Sequence, residues 1–292
     1  MQKKLTVKEI LNFKGKKKLA EVYTHFTYEA EACELAGIEM IISSENNDVR
    51  GIRESAKNTF FTVGLEYGKY LSEYEILKKA FYHMNNGADA IYCPQSLRFI
   101  KAISQEGIPV VGHTGFIPYK STHYGGFKSF GKTAKEANKI YEETDKLQDA
   151  GAFAVEIEIV PYKVGDFIAK SFDLFVIGMG SGQGCDAQYL FSEDLLGYNK
   201  GHIPRHSKVY TDLSEDYENI KQKSIKAYKS FKSEIENKIY PETKHDIEIS
   251  DVEFSNFIKK AGGETEILGL VNEKGAVSKV GNNSKIRAEQ HL

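Results

Sequence analysis

The chain has 292 residues, a formal net charge of -2, 41% hydrophobic residues and 27% charged residues, as ordinary globular proteins do. Its near balance of 39 basic and 41 acidic residues offers no broad basic surface, which argues against a nucleic-acid partner. No apolar run approaches the roughly 18 residues of a membrane span, and three widely spaced cysteines, Cys33, Cys93 and Cys185, favour a reducing cytoplasm.

Short apolar runs alternate with longer amphipathic stretches along most of the chain. The runs are rich in β-branched and aromatic residues, which is typical of parallel strands that are buried on both faces. Eight such runs with helices between them predict a parallel sheet, and their number favours a closed (β/α)₈ TIM barrel over an open, doubly wound sheet. The predicted strands are Leu19–Tyr23, Met40–Ser43, Phe60–Leu65, Ala90–Cys93, Val110–Gly112, Ala154–Ile159, Phe175–Ile177 and Ala187–Phe191.

Helical patterns flank the predicted barrel at both ends. A helix is expected over Thr6–Asn12, and a long polar helix rich in Lys and Glu over Leu213–Ile239, where it breaks at Pro241. The stretch from residue 250 onward is rich in glycine and only weakly periodic. We therefore predict one barrel domain over residues 1–249, with an N-terminal helix and a C-terminal helical extension, and a peripheral appendage over residues 250–292.

A series of short motifs occurs in a fixed order through the middle and end of the chain. The motifs are Gly107–Pro118, Gly125–Lys128, Gly151–Ala154, Glu158–Pro161, Ile177–Gly182, Cys185–Gln188, Asp194–Gly197, Gly201–Pro204 and Tyr240–Pro241. Together they resemble the ketopantoate hydroxymethyltransferase family, within the superfamily of phosphoenolpyruvate mutase and isocitrate lyase-like barrels. The resemblance covers roughly residues 5–245 and implies the TIM-barrel fold.

The resemblance also implies a reaction and two catalytic residues. Family members belong to pantothenate biosynthesis: a divalent metal such as Mg²⁺ binds a small 2-oxo acid, a carboxylate removes a proton from C3, and the enolate attacks the one-carbon unit of methylene-tetrahydrofolate. The base falls on Glu158, and a histidine near the oxo acid falls on His113. From spacing alone, Glu156 and Glu158 face the same side of a strand, where they could equally pair with Lys or Arg. A raised pKa is expected for Glu158 if it is desolvated.

The positions that would hold the metal differ from the family pattern. The family has Gly-Asp-Ser after the second strand, where this chain has Ser44-Glu45-Asn46, and a second family aspartate falls on Gly64. Glu45 and the nearby Glu66 are the candidate metal ligands. The loop between Glu45 and the third strand is also shorter than in the family, so the resemblance implies a metal site that is dismantled or rebuilt.

The remaining predicted site residues would contact substrate. In the fourth strand a family lysine and glutamate fall on Tyr92 and Pro94. The glycine-rich loop after the seventh strand lacks the spacing of a phosphate-binding fingerprint, and the resemblance places it at the rim of the active site. The predicted substrate-binding residues are Ser44, Asn46, Tyr92, Gly180 and Ser181.

Three functions remain open at this point. The first is an enzyme that enolises a 2-oxo acid and transfers a hydroxymethyl group, with altered substrate or metal use. The second is lyase or mutase chemistry on a related small acid, in which Tyr92 acts as an acid. The third is a homologue that binds a small acid without catalysis. The family resemblance further implies a homo-oligomer.

Overall fold

The structure, a computed structural model, describes residues 3–261. Its eight strands are all parallel, pair in chain order and close into a barrel because β1 also pairs with β8, from Leu19↔Ala187 to Tyr23↔Phe191. The barrel predicted from the sequence is confirmed. The strands are β1 Leu19–Tyr23, β2 Met40–Ser44, β3 Phe60–Gly64, β4 Ala90–Tyr92, β5 Val110–Gly115, β6 Ala154–Glu158, β7 Phe175–Met179 and β8 Ala187–Phe191.

Helices connect the strands and begin where the sequence offers capping side chains. Thr6, Ser72 and Thr133 each accept a hydrogen bond from the third residue of their helix, whose glutamate caps the backbone in return. Gly37 ends the second helix in the left-handed conformation. The helices are α1 Val7–Phe13, α2 Thr27–Ala36, α3 Val49–Ser55, α4 Glu73–Asn85, α5 Leu97–Gln105, α6 Ser121–Tyr124, α7 Ala134–Asp149, α8 Tyr162–Ser171, α9 Ser192–Leu195, α10 Ser214–Glu236 and α11 Asp251–Lys260.

Two apolar cores follow from the alternation of side chains along the strands. Residues such as Met40 and Phe175 form a core inside the barrel, and α1 adds Ile10 to it. Their neighbours in sequence, such as Ile41 and Val176, pack outward against the surrounding helices in a second core. A residue two positions after an interior apolar side chain therefore also points into the barrel.

Two segments differ from the sequence-based prediction. Strand β5 continues to Gly115, three residues beyond its predicted end, because it pairs with β6 as far as Gly115↔Glu158. The connection from β2 to β3, predicted as a loop that is shorter than in the family by roughly a helix, contains the helix α3, whose N-cap Asp48 accepts a hydrogen bond from the Gly51 N–H. His113 therefore lies within a strand, where it pairs with Glu156 of β6.

The described chain separates into two compact units, the first ending at Ile220 and the second beginning at Lys221. The second unit contains the rest of α10, which is the long helix predicted over Leu213–Ile239, and α11, which lies within the predicted appendage. The domain boundary predicted at residue 249 remains a prediction, and the part of the appendage after residue 261 lies outside the described residues. None of the described helices is long and apolar enough to span a bilayer.

Candidate active site

The alternation of side chains places polar residues of β4, β5, β6 and β8 inside the barrel. In β6, Ala154 belongs to the interior core, so Glu156 and Glu158 follow it inward at every second position. By the same rule His113 follows Val111 in β5, and Tyr92 follows Ala90 in β4. Tyr189 follows Ala187 in β8 in the same way.

These side chains line a cavity of about 520 Å³ at the carboxyl ends of the strands. TIM-barrel enzymes place their active sites at this end of the barrel. Ser44 and Asn46 lie in the same lining as Tyr92, so three of the five predicted substrate contacts meet here, together with the predicted metal ligand Glu66. The full lining is Tyr23, Ile42, Ser44, Asn46, Gly64, Leu65, Glu66, Tyr92, Pro94, His113, Pro118, Tyr119, Glu156, Glu158, Met179, Tyr189 and Phe191.

His113 is the centre of the polar cluster in this cavity. Its Nδ1 shares a hydrogen bond of 2.7 Å with the Tyr92 hydroxyl. Its Nε2 lies 3.2 Å from Glu158 Oε2 and 3.9 Å from Glu156 Oε1, but makes no hydrogen bond although it is buried. Among the described residues, neither glutamate has an ion pair with Lys or Arg, which disfavours the structural alternative considered for them.

Burial controls the protonation of this cluster. It raises the pKa of Glu158 to about 8 and that of Glu156 to about 7, although the nearby His113 lowers the pKa of Glu156 by more than repulsion from Glu158 raises it. Burial lowers the pKa of His113 and raises that of Tyr92 well above its usual value. Near neutral pH the histidine and phenol are therefore neutral, while both carboxyls exchange protons readily.

A strained backbone fixes the direction of Glu158. The next residue, Ile159, has φ of 50°, a left-handed conformation that is costly for a β-branched side chain. Its N–H donates to the Met179 carbonyl at 2.7 Å, and its carbonyl accepts from the Phe130 N–H at 3.2 Å. On the other side, Gly115 has φ of 88°, and a Cβ there would lie 2.6 Å from the Glu158 carbonyl oxygen. Strain beside a buried carboxyl is a feature of functional sites.

The structure turns Glu45 away from the cavity. Its buried carboxylate accepts hydrogen bonds from the Glu66 N–H at 2.8 Å and from the Tyr70 hydroxyl, and His83 Nε2 lies 3.6 Å away. Burial alone would raise the pKa of Glu45, but His83, Tyr70 and the Glu66 N–H outweigh it and lower that pKa to about 2. Glu45 is thus a stable buried anion that holds the β3–α4 connection to β2.

Lys69 takes the position between the two predicted metal ligands. Its Nζ lies 3.7 Å from Glu45 Oε1 and 3.2 Å from Glu66 Oε2. Glu66 is half-exposed at the rim of the cavity and also accepts a hydrogen bond from the Asn46 side chain at 3.2 Å. Lys79 Nζ also lies 3.7 Å from Glu45 Oε2. Two ammonium groups thus balance the two carboxylates, so the structure does not assemble a metal site from Glu45 and Glu66.

The loop after β7 separates the last two predicted substrate contacts. Ser181 is fully buried; its hydroxyl donates to the Ile157 carbonyl at 2.8 Å and accepts from the Val160 N–H at 3.1 Å. The hydroxyl therefore uses both its donor and its acceptor on the backbone on either side of Glu158. Ser181 is not part of the lining of the first cavity. Gly180 lines a second cavity of about 600 Å³, together with His206 and Arg205, and this cavity shares Tyr189 with the first.

Sequence reasoning missed the site roles of Glu156 and Tyr189. Both could have been found from the alternation that begins at Ala154 and Ala187. His113, Glu156 and Glu158 also form a compact group that could hold a metal ion, since one ligand atom from each lies within 4.8 Å of the others. Among the described residues, the group that could bind a metal ion thus lies on β5 and β6, and not at the predicted positions after β2 and β3.

Comparisons with known proteins agree with the geometry. Residues 42–243 match the family described as ketopantoate hydroxymethyltransferase. The 3-methyl-2-oxobutanoate hydroxymethyltransferase of Acetivibrio thermocellus is 42% identical over 152 residues, covering 52% of this chain and 51% of that protein. The corresponding protein 1 of Methylibium petroleiphilum is 30% identical over 283 residues, covering 88% of this chain and 94% of that one.

A solved structure supports the fold alone. The carboxyl transferase domain of pyruvate carboxylase from Rhizobium etli superposes with a TM-score of 0.50 at 11% identity, covering 64% of this chain and 43% of that one. The expected resemblance and the expectation of an enzyme of the hydroxymethyltransferase type are confirmed, since hydroxymethyl transfer in the pantothenate pathway is the family's function. The match over residues 42–243 and the relative aligned along nearly its whole length show that the chain belongs to the ketopantoate hydroxymethyltransferase family.

Proposed function

We propose that the chain enolises a small 2-oxo acid in the cavity at the strand ends and transfers a hydroxymethyl group to C3, with Glu158 as the base. The observation that carries this proposal is the buried, strained end of β6, which aims the Glu158 carboxyl into the cavity beside His113. The relatives' name, 3-methyl-2-oxobutanoate hydroxymethyltransferase, supplies the substrate class.

The pKa of Glu158 suits the removal of a proton from carbon. A general base works best when its pKa lies near the working pH, because it is then both ionised and strongly basic. Burial raises the pKa of Glu158 to about 8, close to neutrality. After the new C–C bond has formed, the same carboxyl can pass this proton to the folate nitrogen that leaves, and a water molecule supplies the hydroxyl oxygen of the transferred group.

Tyr92 and His113 can stabilise the enolate oxygen. If His113 donates its Nδ1–H to the Tyr92 oxygen, the phenolic proton is free to donate to the substrate. Because burial keeps Tyr92 protonated, it remains a donor throughout the reaction. Tyr92 thus occupies the family's lysine position with a neutral donor, while Ser44 and Asn46 offer polar contacts to the substrate carboxylate on the opposite wall.

The second cavity offers a place for the one-carbon donor next to the substrate. We propose that methylene-tetrahydrofolate binds in the second cavity, which shares Tyr189 with the first. Its wall combines apolar Val160 and Leu190 with the cationic Arg205, which suits a flat ring system that carries a carboxylate.

The metal ligands predicted from the sequence do not fit a metal ion. The Glu45 carboxylate already accepts hydrogen bonds from the Tyr70 hydroxyl and the Glu66 N–H, and Lys69 lies between Glu45 and Glu66. Gly64, at the family's second aspartate position, has no side chain to offer. The steps above therefore rely on the side chains of Glu158, His113 and Tyr92.

The experiment that tests this function is deuterium incorporation at C3 of 3-methyl-2-oxobutanoate, 2-oxobutanoate and pyruvate in D₂O, followed by NMR with and without added divalent metal. Exchange is expected for the wild-type protein and is expected to be lost in Glu158→Gln. Glu143→Gln is the matched control: Glu143 accepts a hydrogen bond from Thr114 of β5 but is not part of the cavity lining. Equal exchange in both variants, or none in the wild type with any acid or metal, would refute the proposal.

We also propose a cytoplasmic, homo-oligomeric enzyme. The three cysteines are buried free thiols, which supports a reducing compartment. The oligomer rests on the family relationship, and size-exclusion chromatography with light scattering would test it.

A further inference from the structure

The charge of the cavity conflicts with an anionic substrate. The carboxyl groups of Glu156 and Glu158 line the cavity without a basic partner among the lining residues, whereas that of Glu66 at the rim is paired with Lys69. The described lining contains no Lys or Arg, so a bound 2-oxo acid would place its own carboxylate beside these two buried carboxyl groups whenever they are ionised. Like charges repel strongly where the dielectric constant is low, so the proposed function needs a positive charge that the side chains do not supply.

We infer that a divalent first-row transition-metal ion, such as Mn²⁺, Co²⁺ or Zn²⁺, binds between His113, Glu156 and Glu158. The argument that the cavity needs a positive charge rests on the proposed function. The three ligands of the metal ion, in contrast, are identified by geometry alone. The ion would replace, on β5 and β6, the metal site that is absent between Glu45 and Glu66.

The unpartnered nitrogen of His113 is the first support. The His113 side chain is only 5% exposed, and its Nε2 has no hydrogen-bond partner although it points between two carboxylates. A buried polar atom without a partner is costly and needs an explanation. A metal ion bound to the Nε2 lone pair explains it.

The spacing of the ligand atoms is the second support. One atom from each residue lies within 4.8 Å of the other two. Ligands that are each roughly 2.0–2.2 Å from one ion lie within about 4.4 Å of each other, so small side-chain movements suffice to close the site. Glu156 and Glu158 share β6 and face the same way, and His113 pairs with Glu156 across the sheet, so rigid strands hold the group.

The partner of the other ring nitrogen is the third support. Histidines that bind metals usually give their second N–H to a nearby acceptor, which fixes the ring and its tautomer. His113 has such a partner, since its Nδ1 lies 2.7 Å from the Tyr92 oxygen. That bond leaves the lone pair on Nε2 and also frees the Tyr92 proton for the substrate, as the proposed function requires.

The ligand types indicate the class of metal. One imidazole and two carboxylates suit Mn²⁺, Co²⁺ or Zn²⁺ better than Mg²⁺, which prefers oxygen ligands alone. Three protein ligands leave positions open for the carboxylate and carbonyl oxygens of a 2-oxo acid. If Glu158 ligates through Oε2, which faces His113, its Oε1 is free to accept the C3 proton.

The test is Mn²⁺ binding to the full chain after treatment with a chelator, followed by electron paramagnetic resonance. One ion per chain is expected, with ¹⁴N modulation of its spin echo from the His113 ring. Glu156→Gln and His113→Asn should each weaken binding at least about tenfold, and His113→Asn should remove the ¹⁴N signal. Glu143→Gln and Glu66→Gln should change the affinity less than about twofold, and Mg²⁺ should bind at least about tenfold more weakly than Mn²⁺.

Several results would overturn the inference. These are the absence of bound Mn²⁺ in folded wild-type protein, a ¹⁴N signal that survives in His113→Asn, or binding lost in Glu66→Gln but kept in Glu156→Gln. Thermal melting of each variant verifies that it is folded. Deuterium exchange separates the two proposals: exchange that persists after chelation overturns the metal site alone, whereas tight Mn²⁺ binding without exchange for any acid overturns the proposed function alone.

Discussion

Glu45→Gln is expected to destabilise the protein substantially, because Glu45 is a structural anion. Its pKa falls from 4.5 to about 2 on folding. Since one pKa unit corresponds to about 1.4 kcal/mol, this shift of roughly 2.5 units represents about 3 kcal/mol of folding free energy near neutral pH. For a chain of this size such a loss lowers the melting temperature by roughly 6–12 °C.

The effect should depend on pH in a defined direction. Because the pKa of Glu45 is lower in the folded state, its contribution is complete above about pH 5 and disappears as the pH falls towards 2. The difference in melting temperature between wild type and Glu45→Gln is therefore expected to be largest at pH 7 and to shrink between pH 5 and pH 3.

Differential scanning calorimetry of both proteins across this pH range measures the effect. Glu54→Gln serves as the control, since Glu54 lies 3.6 Å from Arg50 in an exposed ion pair whose loss should cost less than about 1 kcal/mol. A Glu45→Gln protein that melts within about 2 °C of wild type at pH 7 would refute the structural role. If the same variant also lost Mn²⁺ binding, Glu45 would be a metal ligand after all.

Three further substitutions test the architecture of the site. Tyr92→Phe removes the hydrogen bond to His113, so C3 exchange measured by NMR should slow at least about tenfold, and an unchanged rate would exclude Tyr92 from the chemistry. Ser181→Ala removes a buried hydroxyl that binds two backbone groups, and calorimetry should show a loss of about 1–3 kcal/mol; a change below 0.5 kcal/mol, roughly the scale of a surface substitution, would contradict this. Gly115→Ala forces a side chain into a left-handed position 2.6 Å from the Glu158 carbonyl, so both stability and exchange should fall, and a fully active, equally stable variant would refute the close approach.

The barrel could be predicted from the sequence because its signals are local. Each strand is a short apolar run, and helices such as α4 and α7 carry their capping residues within the same segment. The end of β5 was harder to place, since Gly112 resembles a strand end. Pairing with β6 extends the strand to Gly115, and that pairing joins residues about 43 positions apart, beyond the reach of local patterns.

The candidate site could be predicted only in part. Glu158 and His113 were recognisable from family motifs, and both lie in the cavity. The orientation of Glu45 was not predictable, because it depends on Tyr70 and His83, which reach it from outside the barrel and are distant in sequence. Tertiary contacts decide whether Glu45 is a metal ligand or a structural anion, and the sequence of residues 44–46 does not reveal these contacts.

The strained turn at Ile159 offers a route by which the activity of this protein can change during evolution. The direction of Glu158 depends on the backbone of the following residue, which is held by the Met179 carbonyl and stabilised by the Ser181 hydroxyl through Val160. Mutations in the loop after β7 can therefore re-aim the carboxyl without altering any residue that touches substrate. New specificities in this lineage would be expected to arise first in that loop, and libraries for directed evolution should begin there.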